Sequence, residues 1–144
     1  MKALHRIFRV LTCFPVVLSL LLCPLLPERI PAHYNLYGEV DRWGSRLEVL
    51  LLPLCCLVGG LIWKRFIQKT SLIQPQNQKP MLVAGCSLLA ALDALSCVIL
   101  FFSFSSADVP QTGLLLPQLL NILLVLSLLP LGTAMPKVKR NGVL

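Results

Sequence analysis

Residues 81–104 read MLVAGCSLLAALDALSCVILFFSF, and this stretch decides the class of fold. It carries a single charge, Asp93. A helix crosses the hydrocarbon core of a bilayer with about 20 mostly apolar residues, so residues 80–104 are predicted to span a membrane. Three further runs, 10–26, 49–63 and 109–135, hold no charge at all. Four transmembrane helices follow, near 8–26, 47–63, 80–104 and 113–132, the second being the shortest. The whole chain agrees. It has 144 residues, 56% hydrophobic and 13% charged, with mean hydropathy +0.79. Soluble domains carry about 25% charged residues, and disordered chains are poor in apolar ones. A freely soluble domain and a disordered chain are both excluded. The expected fold is all-α: one membrane domain over 1–144, with a structured extracytoplasmic loop between helices 1 and 2.

The charges set the direction. Lys2, Arg6 and Arg9 open helix 1. Lys64, Arg65, Lys69 and Lys79 lie between helices 2 and 3, and Lys137, Lys139 and Arg140 follow helix 4. Those ten cations have no acidic residue on their side. The positive-inside rule then puts both termini, the 64–79 loop and the 133–144 tail in the cytoplasm. The 27–46 and 105–112 loops face outward. The net charge of +7 is therefore topological. Nucleic-acid binding would need a basic face interleaved with stacking aromatics, which the sequence lacks. Helix 1 has a basic start like a signal peptide but no A-x-A cleavage site, so it is expected to stay as an anchor. All six cysteines, Cys13, Cys23, Cys55, Cys56, Cys86 and Cys97, fall within apolar spans and read as small hydrophobes.

The outer loop differs from everything around it. Residues 26–46 read LPERIPAHYNLYGEVDRWGSR, dense in turn formers and reactive side chains. Tyr34, Tyr37 and Trp43 favour the headgroup zone. Ser45-Arg46-Leu47-Glu48 fits a capping box, in which Ser45 and Glu48 satisfy each other's amides at a helix start. Residues 35–38 suggest a tight turn, with Gly38 supplying a positive φ. Asp41 is placed to accept from nearby amides. Gly44 is expected to let the chain turn into the helix. His33, Glu39 and Asp41 could hold a metal, with Asn35 a weaker ligand. Zinc sites favour repeated His and Cys and calcium several carboxylates, whereas here a few carboxylates lie among three arginines. No metal and no cofactor is expected. No G-x-S-x-G, H-E-x-x-H or Gly-rich phosphate loop occurs, so no catalytic residue is assigned and the chain is read as a non-enzyme. Gly59-Gly60 reads as a close-packing site between helices, and His5 as a solvated or headgroup-bound residue.

Asp93 is the intramembrane polar position to weigh, since an ionisable group inside a span is a functional hypothesis by default. Cys86, Ala90, Asp93 and Cys97 share one helical stripe, with Ser96 beside it. Counted inward from the outer ends of their helices, Asp93 and Asn121 differ in depth by roughly 4–5 Å, and Gln118 lies one turn from Asn121. Asp93 is expected to bond Asn121 or Gln118 and join helix 3 to helix 4; a proton or ion pathway is the alternative.

Residues 30–46 follow the order I-P-x-H-x-N-x-x-G-E-x-D-x-x-G-S-R. This resembles the signature loop of the SdpI-type bacterial immunity proteins, a small domain of unknown function found in many Gram-positive membrane proteins. The resemblance covers about residues 8–63. In that family the loop likewise follows a first helix and precedes a second. The resemblance implies a multi-pass plasma-membrane protein whose signature positions are His33, Asn35, Gly38, Glu39, Asp41, Gly44 and Ser45. Better-known members protect a cell from a secreted antimicrobial peptide toxin and recruit a cytoplasmic transcriptional repressor. The chain is shorter than those members and lacks their second signature segment. The expected function is binding or sensing a membrane-active peptide. The alternatives are a small transporter or channel-like subunit using Asp93, or a membrane scaffold subunit. The sequence names neither the toxin nor an oligomeric state.

Overall fold

The computed structural model describes residues 1–35, 37 and 39–104, together with Ile122, Val125, Leu126, Leu128, Leu129 and Gly132, which are helical. The other residues predicted in helix 4, and the 105–112 loop and 133–144 tail, lie outside the described residues.

Helix α1 spans Lys2–Leu22 and passes through Pro15 without a break, then tightens into a 3₁₀ turn over Cys23–Leu25. The chain turns outward into two antiparallel strands, β1 (Arg29–Tyr34) and β2 (Val40–Ser45). A 3₁₀ turn at Arg46–Leu50 leads into α2 (Leu51–Ile73). After a second short turn, Pro75–Asn77, α3 runs over Gln78–Phe104. Among the described residues, three stretches are long and apolar enough to cross a membrane: Lys2–Leu25, Arg46–Ile73 and Pro75–Phe104. Half of the most apolar window of α3 is buried, against 28% and 22% for the first and second stretches. α3 is therefore the central helix, and α1 and α2 turn their large exposed residues, such as Phe14, Val17, Leu54 and Val58, outward.

The structure is mostly helical, and the all-α expectation is corrected at the outer loop, which is a β-hairpin. The reason is local. Ile30, Val40 and Trp43 favour extended backbone. Asn35 supplies a turn, and a two-stranded unit tolerates Pro31 because its outer edges need no ladder partner. A hairpin alone is marginal in water, and this one is anchored. Ile30 is 2% exposed and packs with Leu26, Val49 and Leu100. The amide of Arg46 donates to the carbonyl of Glu28 at 3.2 Å.

The second span also differs from its predicted end near residue 63. α2 continues to Ile73, so most of the expected 64–79 loop is helical. Residues 64–73 are amphipathic. Ile67 is buried against Met81 and Leu82, while Lys64, Arg65 and Lys69 stay exposed. Pro53 and Pro80 sit in the first turns of α2 and α3, where the missing amide costs nothing.

Glycines set the helix spacing. A Cβ on Gly60 would lie 2.6 Å from Cγ2 of Thr12, so α1 and α2 touch there; Gly59 faces open space. A Cβ on Gly85 would meet Trp63 and, at 2.8 Å, Phe8. Trp63 donates from Nε1 to the carbonyl of Met81 at 3.0 Å, tying α2 to α3.

Candidate functional site

Beyond its strand ladder and the anchoring of Ile30, the hairpin is braced by its own polar side chains. The strands pair Arg29 with Ser45, Ile30 with Gly44 and Pro31 with Trp43. The register then shifts between Pro31 and His33, and again between His33 and Tyr34. Such irregularities re-aim side chains. Here His33 Nδ1 donates to Asp41 Oδ1 at 2.6 Å. The pair is exposed, 64% and 46%, so solvent screens it and its contribution is small. Asp41 thus bonds the imidazole across the hairpin rather than the amides expected from its position.

Asn35 organises the turn. Its Oδ1 accepts from the amides of Tyr37 and Glu39, each at 2.9 Å, and its Nδ2 donates to Glu39 Oε2 at 3.0 Å. The Asn35 amide donates to the Glu39 carbonyl at 2.9 Å. Glu39 is therefore a turn residue. Gly38, assigned a positive φ from sequence, lies outside the described residues.

The capping box expected at residues 45–48 is present. Ser45 Oγ accepts from the Leu47 amide at 3.4 Å, and Glu48 Oε1 accepts from the Ser45 amide at 3.3 Å. Glu48 Oε2 also accepts from Arg42 at 3.0 Å. One carboxylate therefore ties β2 to the start of α2. The role of Gly44 is revised by this arrangement. It belongs to β2, and a Cβ there would lie 2.6 Å from Cδ of Glu48. Glycine is needed so that the carboxylate can lie across the strand.

Beneath the hairpin is a cleft of about 490 Å³. His33, Asn35, Arg42 and Glu48 form its polar side, and Leu95, Val98, Ile99 and Phe102 of α3 form its apolar wall. Clefts of this size accommodate one ligand or anchoring side chain. Sequence reasoning passed over Arg42 and this wall. The wall was legible as an i, i+3, i+4, i+7 stripe, but an all-apolar span gives no reason to prefer one stripe to another.

Asp93 lies apart from the hairpin, inside the bundle at 6% exposure. Neither carboxylate oxygen has a hydrogen-bond partner among the described residues. Gln118 and Asn121, its expected partners, lie outside them. Ser96, on the same side, donates to the carbonyl of Leu92 at 2.9 Å. Among the described residues no three His, Cys, Asp or Glu side chains converge. Cys23 and Cys56 are buried, Cys86 half-buried, and Cys13, Cys55 and Cys97 face outward, all as free thiols.

Residues 10–57 match a family described as "Domain of unknown function (DUF1648)". The match runs from the middle of α1 through the hairpin into α2, the part of the chain where the signature order lies. An "Uncharacterized protein" of Archaeoglobus fulgidus is 42% identical over 52 residues, which cover 36% of this chain and 28% of that relative. The shared piece is thus a little over a quarter of the relative's length, and it occurs in an archaeon. No solved structure matches the chain.

Proposed function

We propose that this chain is a non-enzymatic membrane protein of the SdpI immunity type, which intercepts or senses a membrane-active antimicrobial peptide at the outer face. The observation that carries the reading is the braced hairpin over its cleft. His33, Asn35, Asp41, Ser45 and Glu48 spend their hydrogen bonds on one another and on the local backbone. Such an arrangement presents a fixed face rather than a reacting group. The apolar wall of Leu95, Val98, Ile99 and Phe102 offers a surface that competes with lipid for an apolar side chain of the peptide. The basic residues at the opposite end favour a plasma-membrane protein with cytoplasmic termini and an outward hairpin. Recruitment of a cytoplasmic repressor is part of the same reading.

A second reading rests on Asp93. A buried carboxylate with both oxygens unpartnered among the described residues suits a small transporter or channel-like subunit. One experiment separates the two. A sensitive bacterial strain producing the protein is challenged with an Sdp-type toxin peptide, beside Asn35→Ala, Asp41→Ala and Asp93→Asn variants at equal membrane levels. Immunity predicts survival with wild type and Asp93→Asn, and killing with both hairpin variants. Killing of cells that express the wild type well refutes immunity to that toxin. Protection lost only in Asp93→Asn favours transport.

A further inference from the structure

At the end of the bundle away from the hairpin, one face of each helix turns toward a common cavity of about 250 Å³. His5 and Arg9 lie one turn apart on α1, Lys64 and Gln68 one turn apart on α2, and Gln78 opens α3. These side chains line it above an apolar floor of Phe8, Ile67 and Leu82, each at most 3% exposed. Neither Arg9 nor Lys64 pairs with a carboxylate among the described residues. The helical stretches that line it supply none. Its six acidic residues are Glu28, Glu39, Asp41, Glu48, Asp93 and Asp108, none of them in 1–27 or 49–92. Those two stretches contain seven of the thirteen cations.

A cavity with two cations unpaired among the described residues, and with amide donors, calls for an anion. Its surroundings say which kind. Ile7 and Val10 on α1, and Ile62 and Phe66 on α2, are each 50–65% exposed on the outward faces of the same two helices. A ligand seated there meets charge at its head and the apolar floor beneath it, on helices whose outer faces are apolar. We propose that this cavity binds the headgroup of an anionic phospholipid from the leaflet at the basic end of the bundle. Arg9 and Lys64 hold the phosphate, Gln68 and Gln78 donate further hydrogen bonds, and the acyl chains lie along α1 and α2. Basic pockets between transmembrane helices are recurrent headgroup sites, and a Lys or Arg near an anionic leaflet contributes about 1 kcal/mol. The inference is independent of what the hairpin binds.

The test uses the full chain in a mild detergent, titrated with dioctanoyl phosphatidylglycerol, dioctanoyl phosphatidylcholine and inorganic phosphate, with binding read by thermophoresis. Phosphatidylglycerol is expected to bind saturably, and phosphatidylcholine and free phosphate at least about tenfold more weakly. Lys64→Gln should weaken phosphatidylglycerol about fivefold, and Arg9→Gln with Lys64→Gln about thirtyfold. Lys69→Gln with Lys79→Gln removes the same charge outside the cavity and should change affinity less than about twofold. Lys64 is exposed, so its single variant carries the test even where loss of Arg9 disturbs folding. Equal losses in the two double variants would mean a diffuse basic field and overturn the site. Phosphatidylcholine binding as tightly as phosphatidylglycerol would overturn the anionic selectivity. Inorganic phosphate binding as tightly as the lipid would reassign the cavity to a free anion.

Discussion

Gly44→Ala should loosen the hairpin even though the new methyl group is small and the position lies in a strand. No left-handed φ requires glycine there, and the atoms nearest to an added Cβ all belong to the Glu48 side chain, whose Cδ would lie at 2.6 Å. A flexible carboxylate can swing away. In doing so it gives up the Ser45 amide at 3.3 Å and Arg42 at 3.0 Å. Losing a helix-start cap costs about 0.5–2 kcal/mol. The Arg42–Glu48 pair is 59% and 33% exposed and adds well under about 1 kcal/mol. The net loss is about 1–2 kcal/mol, a factor of about 5–30 in the local opening equilibrium. Amide hydrogen exchange across residues 40–50 in detergent-solubilised protein reads that factor directly, with α3 as the internal reference. Glu48→Ala removes the same bonds, so the double variant should exchange no faster than Glu48→Ala alone. Additive effects, or unchanged exchange in Gly44→Ala, would refute the claim that glycine is there for the carboxylate.

Two further outcomes follow from the helices. Gly60→Val forces a side chain into Thr12 and should lower thermal stability by about 1–3 kcal/mol. Gly59→Ala, in open space, should be neutral or stabilising by up to about 1 kcal/mol; equal unfolding midpoints for the two variants would refute the α1–α2 contact. If Asp93 bonds Asn121, as the sequence leads one to expect, Asp93→Leu and Asn121→Leu should each cost about 1 kcal/mol, with the double variant costing no more than either. Asp93→Asn should retain folding. Additive losses in the melting curves would uncouple the two residues.

The long apolar runs, the basic clusters and the capping box were legible because each rests on local chemistry. A run of about 20 apolar residues has few alternatives to a membrane helix, and S-x-x-E satisfies its own amides wherever it occurs. Residues 64–73 misled because charge was read as loop, whereas Ile67 docking on Met81 and Leu82 draws the helix onward. The hairpin was hidden for a related reason. Its turn formers signal a loop, and the β pairing depends on Ile30 finding Leu26, Val49 and Leu100, which come from separate parts of the chain.

By itself, the sequence determined a helical membrane-type chain with ten of its thirteen cations gathered in stretches devoid of carboxylates, since hydropathy and charge act over a few turns of chain. Only the tertiary structure decided which polar residues meet. Asp41 bonds His33, Arg42 bonds Glu48, and Gly44 makes room for that carboxylate. Arg9 and Lys64, fifty-five positions apart, come to line one cavity. Such contacts arise where helices pack and strands pair in one register, and a pattern along the chain holds no record of that register.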